Sequence, residues 1–367
     1  MFIRVLSALI VIGAAIVLLV FTWPQQFGLQ NFWVVAHVVS LRGLAVVGAV
    51  AVLILLLLLS CIRSLRRLLG ILAVVVVLFG AANAGILAFR GIGVDTGPTT
   101  TPKAEDTVIV LSWNTLGDAP GAERIAQLAL EQDADIVTLP ETTEATGKAI
   151  AMKMRTGGQP MWVHTSAFDE ISKARSTTLL ISPDLGEYAV SSESGSGPPG
   201  NTNVLPTVVA TPVDGTGPTI IAVHAVAPIH WEMSNWRSDL DWLATQCMGD
   251  NVIMAGDFNA TVDHMAGRAA SDSAPSASSA NSGDSGDSAV LGRCQDAALS
   301  TGSAAVGTWP TSVPALLGSP IDHVLSTPNW QVENMTVLES EDSAGSDHRP
   351  IVAKLSTTTV SVLSDHP

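Results

Sequence analysis

From residue 1 to residue 94 the chain contains no aspartate and no glutamate. A water-facing surface of that length needs charges of both signs, so an ordinary soluble fold is excluded there. Basic residues are scarce in the same stretch: only Arg4, Arg42, Arg63, Arg66, Arg67 and Arg90. Over the whole chain 14% of residues are charged and 47% hydrophobic, with a mean hydropathy of +0.38. That is too apolar for an average soluble protein and too polar for one wholly immersed in lipid. Cysteine is nearly missing, at three residues, which excludes a disulfide scaffold. None of the three has a CxxC partner, so a zinc ribbon is excluded as well.

The acid-free region contains three apolar runs, Val5–Phe21, Leu44–Ile62 and Leu68–Phe89. Each approaches the roughly 20 residues that a bilayer-spanning helix requires. The first resembles a signal peptide, but no small-x-small cleavage site follows it and two more runs come after, so an uncleaved anchor is expected. The apolar stretch 31–39 extends the second span or lies at an interface. Arg4 flanks the first run, and Arg63, Arg66 and Arg67 fill the turn between the second and third. The positive-inside rule places those ends in the cytoplasm and everything beyond about Arg90 outside, in a multi-pass cell-membrane protein. Arg42 is the one charge that fits this poorly.

All 33 acidic residues lie beyond residue 94, with 12 basic ones, giving that part a net charge of −21. The sequence divides into a membrane region at 1–90, a Gly/Pro/Thr linker at 91–106, a globular domain at 107–357 and a tail at 358–367. The Ser/Ala/Asp/Gly segment 269–289 has few apolar anchors and reads as a flexible insertion. In an oxidising compartment Cys247 and Cys294 would be free to pair; two buried thiols is the other reading. Apolar strand-like runs occur at 107–113, 135–139, 176–182, 204–212, 218–223, 251–255, 321–326 and 351–355. Helical spacing occurs at 122–132 and 231–246. This alternation predicts one large layered α/β domain.

Polar residues follow five of the apolar runs: Asn114, Glu141, His224, Asp257 with Asn259, and Asp322. Asp347-His348 stands directly ahead of a sixth. Singly, each has a bland explanation. Asn114 forms turns, Glu141 favours a helix start, His224 suits a core, and Gly256-Asp257-Phe258-Asn259 makes an Asx-rich turn. Together they predict one rim of acid/base groups and hard oxygen donors, a combination suited to metal-assisted attack on a phosphate ester.

The motifs Ser112-Trp113-Asn114, Pro140-Glu141, His224, Gly256-Asp257-Phe258-Asn259, Ile321-Asp322-His323-Val324 and Ser346-Asp347-His348-Arg349-Pro350 stand in the order of a known family. Over residues 107–355 the chain resembles the endonuclease/exonuclease/phosphatase (DNase I-like) superfamily. His224-Ala225-Val226-Ala227-Pro228, Asn259-Ala260-Thr261 and Thr308-Trp309-Pro310 look like a bacterial membrane-anchored branch of it. The resemblance implies a four-layered α/β sandwich. It also implies that Glu141, helped by Asn114 and Asp347, holds Mg²⁺ or Mn²⁺. Asp257 would activate water, Asn259 would orient a phosphate oxygen or that nucleophile, and His224 would bond a non-bridging oxygen. His348 would act at the scissile phosphate, held in its tautomer by Asp322. Family members that cut abasic DNA carry an acid where this chain has Leu116, which argues against a second metal contact there.

The function expected is a metal-dependent phosphoric ester hydrolase, a phosphodiesterase or phosphatase of the cell envelope. Anchoring at a bilayer favours a lipid-linked phosphate ester. An extracytoplasmic Mg²⁺-dependent nuclease is the alternative, disfavoured because nucleic-acid binding calls for a basic footprint and this domain is acidic. A non-enzymatic tethered binding module would be expected to have lost one of Glu141, Asp257, Asn259 or His348, and all four are present.

Overall fold

The computed structural model describes residues 2–93, 103–104, 106–168, 172–191, 197–270 and 289–358. The spacer at 94–102, nearly all of the low-complexity segment at 269–289 and the tail beyond 358 lie outside the described residues.

The acid-free region forms four helices: α1 (Phe2–Thr22), α2 (Trp33–Ser40), α3 (Arg42–Leu59) and α4 (Arg66–Arg90). Three of them, α1, α3 and α4, are long and apolar enough to cross a membrane. They leave large side chains such as Leu9, Ile16, Ile54, Leu58 and Leu78 exposed. The stretch 31–39 is not an extension of the second span. Helix α2 is separate, broken from α3 at Leu41, where φ is −114° and ψ is 47°. It buries Val35, Ala36 and Val39.

The remaining described residues build two six-stranded sheets. The first uses β1 (Thr107–Ser112), β2 (Ile136–Pro140), β3 (Trp162–Ala167), β4 (Ser176–Ile181), β11 (Trp330–Val337) and β12 (Ile351–Thr357), in the order β11-β12-β1-β2-β4-β3. The second uses β5 (Tyr188–Val190), β6 (Val208–Pro212), β7 (Thr219–His224), β8 (Val252–Asp257), β9 (Gln295–Asp296) and β10 (Asp322–Ser326), in the order β5-β6-β7-β8-β10-β9.

Alternation along the strands fixes the layers. In β1, Val110 joins the core between the sheets while Leu111 joins the outer one. The inner core packs Val108, Ile136 and Leu179 against Ala222, Ile253 and Val324. Helices α5 (Gly121–Glu131) and α6 (Glu144–Thr156) cover the first sheet with Ile125, Leu128, Ile150 and Met154. Helix α7 (Met233–Gln246) covers the second with Trp236, Leu240 and Leu243. The result is the expected four-layered α/β sandwich. Two short helices, α8 (Val262–Met265) and α9 (Ala297–Thr301), sit in its loops. Cys247 and Cys294 are joined, with Cα atoms 5.8 Å apart.

The N-terminal helices dock on this sandwich through a buried charge cluster. Asp263 at α8 accepts two bonds from Arg42, at 2.9 Å each, and two from Arg90, at 2.9 and 2.7 Å. Gln25 adds a fifth at 2.6 Å, and Arg42 also bonds Asn83 and the carbonyl of Thr22. Burial alone would raise Asp263, but Arg90 and Arg42 override it and hold the carboxyl far below the usual range. Arg42 is therefore spoken for by an ion pair, which explains why it fits a charge-based topology so poorly. The backbone at Gly43 lies so close to Leu316 that a Cβ would meet its carbonyl oxygen at 1.8 Å, so only glycine permits the approach.

Candidate active site

One register row across the second sheet carries three of the expected residues. His224 ends β7, Asp257 ends the parallel β8 beside it, and Asp322 opens the antiparallel β10 on the other side. Asp322 thus does not follow its apolar run; it begins it. An antiparallel strand brings its N-terminal end to the edge where its neighbours' C-terminal ends lie. Gly256 makes the row possible. Its φ is 151°, and a Cβ there would stand 2.0 Å from the carbonyl oxygen of Val223.

The facing sheet supplies the rest. Asn114 follows β1 and Glu141 follows β2, while Asp347 and His348 precede β12. Glu141 and Asn259 hold left-handed backbone at φ 59° and 46°, a strained conformation for non-glycine residues. Buried tryptophans set the backbone. Trp113 Nε1 donates to the carbonyl of His348 at 2.8 Å, and Trp236 Nε1 donates to that of Asn259 at 3.0 Å.

His348 lies between two carboxylates. Its Nδ1 is 2.8 Å from Asp322 Oδ2, and its Nε2 is 3.8 Å from Asp257 Oδ2. Burial works against the charged ring, yet Asp322 and Asp257 push His348 up to about 10. The two carboxylates thus favour the charged ring. Burial pushes Asp257 up to about 7, against the pull of His348, with Asp322 adding to the rise. Burial also lowers His224 to about 3, so that ring is neutral. Its Nδ1 lies 3.4 Å from Thr177 Oγ1. Asn259 clips its own strand end: its backbone N–H donates to Asp257 Oδ1 at 2.8 Å, and its amide to the carbonyl of Ala225 at 2.9 Å.

Two groupings bear on a cation. Asp257, Asp322 and His348 bring one ligand atom each within 4.8 Å of one another. The His348 ring is already engaged there, which favours a proton relay over a metal. Glu141 and Asp347 are the second grouping. Glu141 is raised by burial and takes one bond, 3.2 Å, from the Asn114 amide. Asp347 Oδ1 is buried without a partner among the described residues, while Oδ2 accepts from Trp309 Nε1 at 3.0 Å. The charge of Asp347 adds to the rise of Glu141, and an unpartnered carboxylate oxygen near a desolvated carboxylate suits a hard divalent cation. Asn114 presents its amide nitrogen to Glu141 and Asp257, at 3.2 and 3.0 Å, while its oxygen accepts from the N–H of Leu116.

The groups open into one cavity of about 380 Å³ that Glu141, His224, Asp257, Asn259, Asp347 and His348 all line. Its far wall is helix α2, through Ala36, His37 and Ser40. Sequence reasoning gave α2 no place in the site. It also gave none to Trp309, which braces Asp347, or to buried Arg349, which donates to the carbonyls of Gly307 and Pro310 in the loop carrying Trp309. The available signal was their place inside motifs already read, Thr308-Trp309-Pro310 and Ser346-Asp347-His348-Arg349-Pro350.

The family model for the endonuclease/exonuclease/phosphatase family matches residues 111–366. The chain belongs to that family. Among solved endonuclease/exonuclease/phosphatase structures it is similar to one from Beutenbergia cavernae, at 18% identity over 69% of this chain and 72% of that one, with a TM-score of 0.49. It is also similar to a humanized TDP2 from D. rerio, at 15% identity over 69% and 100%, with a TM-score of 0.48. A mannosyl-6-phosphatase from Bacteroides thetaiotaomicron is similar at 17% identity over 68% and 99%, with a TM-score of 0.42. A comparison with curated proteins finds no match. Endonuclease/exonuclease/phosphatase enzymes are hydrolases of phosphate esters and generally depend on divalent metal.

Proposed function

We propose that this chain is a membrane-anchored, divalent-metal-dependent phosphoric ester hydrolase whose catalytic domain is extracytoplasmic and acts on a lipid-linked or cell-envelope phosphate ester. The observation that carries the reading is the shared cavity: its reactive wall holds Asp257 and His348, with Asp322 behind the His348 ring, and another wall belongs to the apolar helical region. The ends of that region support the orientation. Arg42 and Arg90 are consumed by Asp263 beside the domain, leaving Arg4, Arg63, Arg66 and Arg67 at the opposite end as the charges that the positive-inside rule counts.

The residues divide the chemistry among them. Asp257, raised toward neutrality, accepts a proton from the attacking water as its oxygen bonds to phosphorus. Asn259 keeps that carboxylate oriented. The bond from phosphorus to the leaving oxygen breaks, and the imidazolium of His348 stabilises the phosphate charge or protonates that oxygen. Asp322 holds the ring. Neutral His224 bonds a non-bridging oxygen. Glu141 and Asp347, with Asn114 beside them, would hold Mg²⁺ or Mn²⁺, which when bound supplies charge neutralisation at the phosphate.

The test uses full-length protein in detergent micelles. It should hydrolyse bis-p-nitrophenyl phosphate with Mg²⁺ or Mn²⁺ and stop on adding EDTA; metal-independent turnover overturns the metal assignment. A panel of lipid phosphates against plasmid DNA sets the substrate class, and preferential DNA cleavage makes the chain a nuclease despite its acidity. An alkaline phosphatase fusion after Gly97 should be active, and an inactive fusion puts the domain in the cytoplasm.

A further inference from the structure

Helix α2 stands between two cavities. On one side Ala36, His37 and Ser40 face the reactive groups across the 380 Å³ site. On the other, Val38 borders a groove of about 540 Å³ among α1, α3 and α4, lined by Val17, Phe21, Ala45, Val52 and Phe79 and their apolar neighbours. The groove offers a ligand almost nothing but hydrocarbon. The first cavity is apolar too where it approaches α2, at Leu205, Pro228 and Ile229.

The helix is held firmly in that position. Ala36 is 1% exposed and packs into the core of the second sheet. His264 takes the N–H of Thr261 on Nδ1 at 2.8 Å, so its Nε2–H donates to the carbonyl of Ala36, at 3.1 Å. Burial lowers His264 to about 4, which keeps the ring in that neutral form. His37 Nδ1 donates to the carbonyl of Trp33 at 2.7 Å, and the Trp33 ring meets His37 and His230 edge-on at 5.6 and 5.3 Å. A wall fixed this way defines a shape rather than yielding to whatever enters.

We infer that α2 is the specificity element of the site: a phosphate ester binds with its phosphate among the reactive groups and its hydrocarbon chain passing α2 into the groove beside Val38. This rests on the phosphoesterase reading above and goes further, naming a single-chain or longer alkyl phosphate as the preferred class over a soluble ester of the same phosphate. The charge pattern agrees. The phosphate end meets polar side chains, among them His348, Glu141 and Asp347, and the chain end meets apolar side chains only.

The experiment compares p-nitrophenyl hexadecyl phosphate with p-nitrophenyl methyl phosphate, which share phosphate and leaving group and differ in chain alone. Full-length protein in detergent should favour the hexadecyl ester in kcat/KM by at least about ten-fold, since many methylenes leave water. Val38→Trp, which fills the groove, should cut the ratio of the two kcat/KM values by roughly ten-fold, through KM. Equal rates on both esters, or a ratio that Val38→Trp does not move, overturn the inference. A second readout does not depend on turnover. In a Cys61→Ser background, the thiol of Ser40→Cys is labelled with a water-soluble maleimide in EDTA. Hexadecyl phosphate should slow labelling and methyl phosphate should not; equal labelling rates also overturn the inference. If neither ester is hydrolysed yet hexadecyl phosphate still protects the thiol, the phosphoesterase reading fails and the lipid subsite stands.

Discussion

Asp322-His323 and Asp347-His348 are the same dipeptide, and in neither does the histidine pair with the aspartate beside it. His348 bonds Asp322, and His323 bonds Asp296 at 2.6 Å. Both rings are buried and both are raised above the ordinary histidine range, burial being overcome by the neighbouring carboxylates. They differ at the second nitrogen. His323 Nε2 lies 2.8 Å from the carbonyl of Ala260, so both sides of the ring are closed, and Phe258 packs edge-on against it. His348 Nε2 faces Asp257 at 3.8 Å across the cavity. An aspartate–histidine pair with both nitrogens satisfied is a strut; one with an open nitrogen is a reagent.

Mutation should separate the two pairs. The largest effect expected is on turnover: His348→Ala should lower kcat on bis-p-nitrophenyl phosphate by about 10³-fold, the usual scale for a lost acid–base group. It should also lose stability, since Asp322 is left buried without its partner, so turnover rather than melting temperature separates the two variants. Equal loss of activity in both variants would erase the distinction. Next comes stability. His323→Ala leaves Asp296 buried without its partner and should cost about 3–5 kcal/mol in denaturant unfolding, while the protein that remains folded keeps kcat within about three-fold.

Acid provides a smaller and continuous effect. His224 and His264 are lowered to about 3 and about 4 by burial, so below the unfolded value of about 6.5 the unfolded chain binds protons that the folded chain refuses. Their contribution is complete above that pH and is lost as pH falls toward 4, at about 1.4 kcal/mol per unit for each ring. His323 and His348, raised instead, contribute fully below about 6.5 and lose that contribution only as pH rises through their folded values. Unfolding titrations of His224→Asn should show a shallower acid slope, and an unchanged slope removes His224 from the account. The smallest effect marks the floor of the comparison. Lys148 and Glu144 form an exposed pair one helical turn apart, and Lys148→Ala should cost no more than about 0.5 kcal/mol.

What the sequence revealed follows burial. Every strand read from it, β1, β2, β4, β6, β7, β8, β10 and β12, lies inside a sheet; the four that escaped, β3, β5, β9 and β11, are the four sheet edges. Interior strands are covered on both faces and show as apolar runs. Edges are short or half-exposed, as in β11, where Gln331 and Asn334 stand between buried Trp330 and Met335. Helix α6 was missed for the same reason, with Ala, Gly and Lys diluting an apolar face that comes down to Ile150 and Met154. The reactive row was legible because its residues sit beside strong interior strands. The α2 wall was not: its contact with His264 spans more than two hundred residues, and no local pattern encodes a contact of that range.

The charge cluster at Asp263 has a practical side. Along the chain, the boundary between apolar helices and α/β sandwich falls in the linker after Arg90; in space it runs through the middle of a five-bond cluster around Asp263. A catalytic fragment cut at the linker would be born with a naked carboxylate in a hollow shaped for two guanidinium groups, an imidazole missing its carbonyl, and a substrate pocket open on one side. Cutting there to gain a smaller fragment would therefore change the site, and constants measured on the excised piece would describe the cut as much as the protein.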